Sequence, residues 1–220
     1  MSQEDAKRAV GAAAAAMVED GMRVGLGTGS TAHWFILGVA VRAREGLRVT
    51  CCATSEATAQ LAASHGLDVR ELGAGGVDLA GDGADAVDPD LRLIKGGGGA
   101  HVREKIVAAA ADRFVVLVDE TKLCDVLPGW VPIELVPYGC ERTLATLASL
   151  GATVTLRDTR SDNGNVLADC RFDAMEDPEG LAARLDAVPG VVGHGLFLGM
   201  TDLLLVARAD GSIEERAPKR

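Results

Sequence analysis

The chain has 220 residues, of which 48% are apolar and only 3% aromatic, and its formal net charge is −10. That length and apolar content exclude a disordered chain and allow one large domain or two small ones, with a core of Ala, Val, Leu and Ile. An acidic chain repels phosphodiester backbones, so no nucleic-acid partner is expected; the only basic cluster is the Lys219-Arg220 end. The opening MSQEDAKRAV carries acidic residues and no apolar signal core, and the longest apolar stretches are strand-length, so neither secretion nor a membrane partner is expected. Cys51, Cys52, Cys124, Cys140 and Cys170 are odd in number and form no C-x-x-C, which supports neither a disulfide framework nor a zinc site and fits a reducing cytoplasm.

Residues 3–20 read as an Ala-rich helix, Arg23–Leu26 as a short strand, and about 30–44 as a helix after a Gly-rich turn. Leu47–Cys52 reads as a strand, Ser55–His65 as a helix with Ser55 as N-cap, and Leu67–Arg70 and Val77–Gly81 as short strands. Ala100–Ala111 reads as a helix and Phe114–Val118 as a fully apolar strand, so this half is a βα alternation with a mostly parallel sheet. Then the rhythm changes. Val131–Val136 is a strand among prolines, and 139–149 a helix ending at Gly151. Thr153–Leu156 and Asn165–Arg171 are strands joined across Asp162-Asn163-Gly164, Pro178–Ala187 is a helix with Pro near its start, and Val191–Leu196 is a strand. That β-α-β-β-α-β order is the split-βαβ pattern. The fold class is therefore α/β: a Rossmann-like parallel-sheet domain over 1–128, to which 203–220 can return with the strand Leu203–Ala207, plus a smaller α+β split-βαβ (ferredoxin-like) domain over 129–202.

Three segments carry the chemistry. Gly25-Leu26-Gly27-Thr28-Gly29-Ser30-Thr31 lies between a strand and a helix, where glycines admit a close ligand and the helix start offers N–H groups to an anion. It matches neither G-x-G-x-x-G nor a P-loop with its Lys, so a small phosphate monoester fits better than a nucleotide; a strand-to-helix turn with no ligand is the plain alternative. Asp82-Gly83-Ala84-Asp85 follows a strand, at the edge where open α/β sheets bind ligands, with Asp88 and Asp90 close behind. A Mg²⁺ or Ca²⁺ loop and an acidic surface loop are the alternatives there. Lys95-Gly96-Gly97-Gly98-Gly99 sits inside a βα unit, which favours a backbone wrapped on a ligand over a linker, and Glu104 lies about one turn into the next helix. A carboxylate base, a lysine for the oxyanion and a carboxylate pair for hydroxyl protons are what aldose–ketose isomerisation through an enediolate requires, without metal or organic cofactor.

The segments GLGTGST (25–31), DGAD (82–85), IKGGGG (94–99) and REKIV (103–107), followed in order by VDETK (118–122), PIELVP (132–137), DNGNVLAD (162–169) and PGVVGHGLF (189–197), resemble those of the ribose-5-phosphate isomerase A family over nearly the whole chain. The resemblance implies interconversion of D-ribose 5-phosphate and D-ribulose 5-phosphate in the non-oxidative pentose phosphate pathway. It also implies a homodimer whose only substrate partner is a small sugar phosphate. It casts Glu104 as the base, Asp82 in ring opening with Asp85 beside it, and Lys95 on the oxyanion. Thr28, Gly29, Ser30, Thr31, Gly83, Ala84, Gly96, Gly97 and Gly98 then hold substrate, and Lys122 and Lys7 pair with the phosphate. Two positions depart from the family: Ala86 where an acidic residue is common, and His101 where an apolar one is usual. A titrating His101 near Glu104 would shift the pH optimum.

Rivals from other classes are a non-catalytic sugar-phosphate sensor, a related sugar-phosphate deaminase, and an acyl-CoA transferase with Glu104 as nucleophile. A sensor could do without Lys95 and Glu104, and no DNA-binding helix-turn-helix is evident. The chain is small for the transferase, and turnover of glucosamine 6-phosphate would mark the deaminase.

Overall fold

A computed structural model describes residues 2–173 and 175–218; the basic Lys219-Arg220 end lies outside the described residues. In chain order the elements are α1 (Gln3–Ala16), β1 (Arg23–Leu26), α2 (Ser30–Arg44), β2 (Thr50–Ala53), α3 (Glu56–Ser64), β3 (Asp68–Val69), β4 (Leu79–Gly83), β5 (Ala86–Val87), β6 (Leu93–Ile94), α4 (His101–Ala109) and β7 (Phe114–Asp119). A single 3-10 turn, Glu120–Lys122, follows, and then β8 (Trp130–Leu135), α5 (Cys140–Ser149), β9 (Thr153–Arg160), β10 (Val166–Arg171), α6 (Pro178–Asp186), β11 (Val191–His194), β12 (Leu196–Phe197), β13 (Leu203–Ala207) and β14 (Ile213–Arg216).

The chain divides into two compact units, the first made of residues up to Ala84, Arg103–Leu123 and the stretch from Met200, the second of Asp85–Val102 and Cys124–Gly199. The first unit holds a seven-stranded sheet in the order β14-β13-β7-β4-β1-β2-β3, parallel except for β14. β7 reads FVVLVD and is buried along its length, as a central parallel strand covered on both faces must be. The main core cluster of this unit is aliphatic apart from the ring of Phe35, and includes Val10, Ala14, Leu26, Val39 and Leu117. α1 is Ala-rich because it crosses α2 closely: a Cβ on Gly38 would stand 2.6 Å from Ala15 Cβ.

The second unit holds a four-stranded antiparallel sheet in the order β11-β8-β10-β9. Numbered within that unit the order is 4-1-3-2, the arrangement of a split-βαβ sheet. Ala168 and Cys170 of β10 share one buried core with Leu147 of α5 and Leu181 and Leu185 of α6. A small antiparallel sheet, β12-β6-β5, completes the unit.

The structure differs from the sequence reading in several places. α1 stops at Ala16 rather than 20, where Met17 caps it and Gly21 (φ +85°) turns the chain. β4 runs two residues later than expected, so Asp82 and Gly83 end the strand instead of following it. Residues 85–102 group with the second unit rather than with 1–128, because β6 pairs with β12 and β5 with β6, and Ala86 and Ile94 join its core. The expected strand Val191–Leu196 is two strands: Leu196 leaves β8's sheet and pairs with Ile94. β5, β6 and β14 have no counterpart in the sequence pattern, the first two being two-residue strands too short to show a period.

Candidate active site

In the first unit β1, β4 and β7 are parallel neighbours, so their carboxyl ends share one edge of the sheet, the edge where such sheets take ligands. At the end of β4 the Asp82 side chain, 3% exposed, accepts from the backbone N–H of Thr28 (3.1 Å) and of Gly83 (2.7 Å) through Oδ1. Gly27 is required there: a Cβ would overlap Asp82 Cγ and Oδ1 and approach Asp82 Cβ to 2.5 Å. Gly29, with φ +121°, caps α2 without a side-chain bond, so the first N–H groups of that helix face outward with the exposed Ser30 beside them. Such a start accepts an anion.

Thr28 behaves differently from Ser30. Its hydroxyl lies 2.7 Å from Thr54 Oγ1, 2.8 Å from Ser55 Oγ and 3.0 Å from Thr58 Oγ1, so it holds the loop rather than facing solvent. Thr54 and Thr58 in turn donate to the carbonyls of Leu26 and Gly27, and Ser55 caps α3 by accepting from Thr58 N–H. This hydroxyl cluster fixes the β1–α2 loop, and sequence reading finds only the Ser55 cap. The available signal is Thr54-Ser55 at the carboxyl end of a parallel strand.

Glu104 is 5% exposed and lies in the first turn of α4. α4 packs on the sheet through Val107, whose Cγ1 would stand 2.6 Å from a Cβ on Gly25. Glu104 precedes Val107 by three residues and so shares its face. Arg103, adjacent to it, reaches Glu56 of α3 at 4.0 Å. Lys122 ends the turn after β7 and is half-buried; its charge, behind the hydrogen bonds from Thr121 and Gln3, helps hold the Asp119 carboxyl below its ordinary value although burial pushes it up. Gln3 Nε2 donates to Asp119 Oδ2 at 3.4 Å, and half-buried Lys7 lies one helical turn after Gln3 on the same face of α1.

The second unit carries the other expected residues. Lys95 is 2% exposed, with its ammonium 5.5 Å from the centroid of the buried Phe197 ring and its backbone N–H on Gly195 O at 2.8 Å. Asp85 Oδ2 accepts from Gly97 N–H at 2.8 Å, and Gly99 N–H closes a tight turn on Gly96 O at 3.0 Å. Gly96 has φ +107° and its α-carbon faces buried His101, which a Cβ would approach to 2.8 Å at Nδ1. The loop Gly96–Gly99 is therefore an ordered turn. Of the acidic residues behind it, Asp88 is structural: it accepts from the N–H of Asp90 and Arg92 and pairs with the Arg92 guanidinium at 2.6 Å. Among the described residues no group of three or more His, Cys, Asp or Glu is placed to hold a metal ion. Ala84, with Gly83, continues β4 toward Asp85 and is half-buried; Gly97 and Gly98 are exposed.

Comparison with known proteins places these residues in context. The family model of ribose 5-phosphate isomerase A (phosphoriboisomerase A) matches residues 50–211, a range that includes Asp82, Lys95–Gly99 and Glu104. The chain is 48% identical over 212 residues to ribose-5-phosphate isomerase A of Roseiflexus sp. (strain RS-1), covering 91% of each chain. It is 44% identical over 203 residues to the protein of that name from Methanothermobacter thermautotrophicus, covering 88% of this chain and 90% of the other. Among solved structures, ribose 5-phosphate isomerase from Plasmodium falciparum superposes with TM-score 0.93 at 32% identity over 99% of this chain and 100% of that one. The enzyme from Methanocaldococcus jannaschii gives 0.92 at 38% identity over 98% and 100%. With a model match across most of its length and relatives this similar from end to end, the chain belongs to the ribose 5-phosphate isomerase A family.

Proposed function

We infer that the protein is a ribose-5-phosphate isomerase that interconverts D-ribose 5-phosphate and D-ribulose 5-phosphate. The observation that carries this beyond family membership is a pair of buried carboxyl groups, Asp82 and Glu104, in the same unit as the uncapped, glycine-led start of α2. Isomerisation moves one proton between adjacent carbons. Glu104 takes the proton from C2 of the open-chain aldose, leaving an enediolate, and returns it to C1, while the C2 oxygen becomes the carbonyl and the C1 oxygen gains a proton. Lys95 stabilises the enediolate oxygen, and its burial strengthens that interaction. Asp82, held by two backbone N–H groups, accepts and returns the hydroxyl proton in ring opening, with Asp85 assisting. Ser30, Thr31 and the α2 N-terminus receive the phosphate, with Lys122 and Lys7 neutralising its charge; Gly83, Ala84 and Gly96–Gly98 line the sugar.

A solved D-ribose-5-phosphate isomerase with TM-score 0.93 to this chain at 34% identity is described as a complex with phospho-erythronic acid. A phosphorylated four-carbon sugar acid presents a carboxylate where the enediolate has its two oxygens, and that chemistry matches the roles of Lys95 as oxyanion partner and Glu104 as base. The reaction as proposed uses no metal or organic cofactor, so turnover persists in EDTA.

Exposed Tyr138 (93%), Val136 and Val192 give the second unit an apolar surface that a second copy of the chain would cover, in keeping with a homodimer. Its partners are then the sugar phosphate and that second copy, without nucleic acid or membrane. The five free thiols suit a reducing, cytoplasmic setting.

Ribulose 5-phosphate formation from ribose 5-phosphate, measured for wild type and Glu104→Gln, tests the reading. Wild-type turnover that falls by orders of magnitude in the variant, with substrate still bound, supports both reaction and base. Absence of wild-type turnover with ribose 5-phosphate bound would favour a sensor.

A further inference from the structure

One face of the four-stranded sheet is covered by helices, and the opposite face carries a polar row. Asp169 on β10 lies opposite Pro132 of β8 and Thr155 of β9, so Trp130 and Arg157 are its diagonal neighbours on that face. All three are joined: Trp130 Nε1 donates to Asp169 Oδ1 at 2.9 Å, and the Arg157 guanidinium donates to both Asp169 oxygens, from Nε at 3.0 Å and Nη2 at 2.6 Å. The free edge of the fork is aimed at the glycine loop, with Nη1 donating to Gly96 O at 2.9 Å and Gly97 O at 3.2 Å. The Arg157 side chain is only 15% exposed, so its charge is committed to this arrangement.

These contacts fix two peptide planes. Because the peptide group is planar and trans, a carbonyl turned to Arg157 turns the N–H of the same peptide the other way. For Gly96–Gly97 that N–H meets Asp85 Oδ2 at 2.8 Å, so the plane is held at both ends. For Gly97–Gly98 it sends the Gly98 N–H away from the guanidinium, at a residue whose side-chain position is open space. The loop begins at Lys95. Its tight, positive-φ turn has no side chains of its own to hold it, so the orientation of its amides depends on an outside clamp.

We propose that Arg157 is a positioning residue for the isomerisation: its guanidinium, anchored by Asp169 and Trp130, holds the Gly96 and Gly97 carbonyls and so sets the loop that carries Lys95. This rests on the reading that Lys95 and its loop serve the reaction. Only arginine fits the position, because two carbonyls and a bidentate carboxylate need a planar fork; a lysine ammonium can keep the charge pair with Asp169 but not both sets of bonds.

The test is steady-state kinetics and thermal melting of the full chain as Arg157→Ala, Arg157→Lys and Asp169→Asn, with added guanidinium ion as a separate arm. Arg157→Ala is expected to lower kcat at least about tenfold while KM changes less than about threefold, and millimolar guanidinium is expected to restore part of kcat. Arg157→Lys, which preserves the ion pair, is expected to melt near wild type and still lose kcat. Wild-type kcat in folded Arg157→Lys, or a loss in Arg157→Ala that guanidinium leaves untouched while Arg157→Lys restores it, would overturn the proposal. Wild type without turnover would instead refute the isomerase reading, so the two failures are distinct.

Discussion

Replacing Gly27 with alanine adds one methyl group at the point where β1 passes Asp82. The new Cβ would stand 2.5 Å from Asp82 Cβ and overlap Asp82 Cγ and Oδ1. Ordinary carbon contacts begin near ~3.5 Å, so about 1 Å of displacement is needed. The clash includes Asp82 Cβ, which no side-chain rotation can move, so the displacement falls on the ends of β1 and β4 and breaks the Thr28 N–H bond to Asp82. Over-packing of this kind costs about 1–3 kcal/mol, or roughly 2–12 °C in melting temperature for a chain of this size. A displacement of about 1 Å at a reacting group costs on the order of a hundredfold in rate. Gly38→Ala is the control, since it also creates a 2.6 Å clash, with Ala15 Cβ between α1 and α2, but touches no carboxylate. Turnover of ribose 5-phosphate and melting curves for both variants are expected to show similar stability losses and a selective kcat loss of about a hundredfold in Gly27→Ala. Equal kcat in the two variants would refute the idea that Gly27 is there to make room for Asp82.

The Glu134 side chain is fully buried and its Oε1 accepts from Ser161 Oγ (2.9 Å), Asn163 Nδ2 (3.0 Å) and Asn165 Nδ2 (2.7 Å), so Glu134→Ala is expected to cost about 2–4 kcal/mol in urea unfolding and to expose the β9–β10 turn to protease. Arg23 holds the Asp78 carboxyl at about 2 through a side-chain and a backbone hydrogen bond. A folded value below the ordinary one makes this pair stabilising above about pH 4 and progressively lost toward pH 2; melting temperature should therefore fall less steeply with acid over that window in Arg23→Gln. Burial pushes the Cys51 and Cys170 thiols up to about 12, so iodoacetamide at about pH 8 should label half-buried Cys140 before either, as mass spectrometry of timed samples would show.

How legible these features are depends on what each residue's role rests on. β1, β13 and α2 appear where the apolar runs and the Gly-rich turn place them, because a buried parallel strand needs a continuous apolar run and a positive-φ glycine such as Gly29 turns the chain from strand into helix. β5 and β6 are invisible in the sequence: two residues give no periodicity, and the strand that anchors β6, β12, lies about a hundred residues on. The same non-local pairing is why 85–102 groups with the second unit, a fact no local composition shift reports. Asp82 and Lys95 stand out in the sequence as candidates because each sits at a strand end or a glycine run, whereas Glu104 in Arg103-Glu104-Lys105 reads as an ordinary charged helix face and becomes a candidate through the family resemblance. Arg157 does neither, since its spacing in Leu156-Arg157-Asp158 is that of any charged edge-strand residue, and its meaning comes from Asp169 across the sheet and Gly96 sixty-one residues earlier.

The glycine loop shows why such a distant residue is needed. Ordering the backbone of Gly96–Gly99 costs about 1–2 kcal/mol per residue, and glycine lies at the upper end, giving about 6–8 kcal/mol for the four. Against this stand the Gly99–Gly96 turn bond, worth about 1 kcal/mol, and three bonds with a charged partner, from Gly97 N–H to Asp85 and from Arg157 to two carbonyls, worth about 1.5–3 kcal/mol each. The two sides are nearly equal, so the turn is held with little to spare. A loop of four glycines can bring its amides close to a sugar only because it lacks side chains, and for the same reason it cannot fold on itself. Removing the two Arg157 bonds takes about 3–6 kcal/mol from a balance near zero, which lowers the ordered population at least tenfold. The kinetic loss expected in Arg157→Ala is that shift in population, and it explains why guanidinium in solution can reverse part of it.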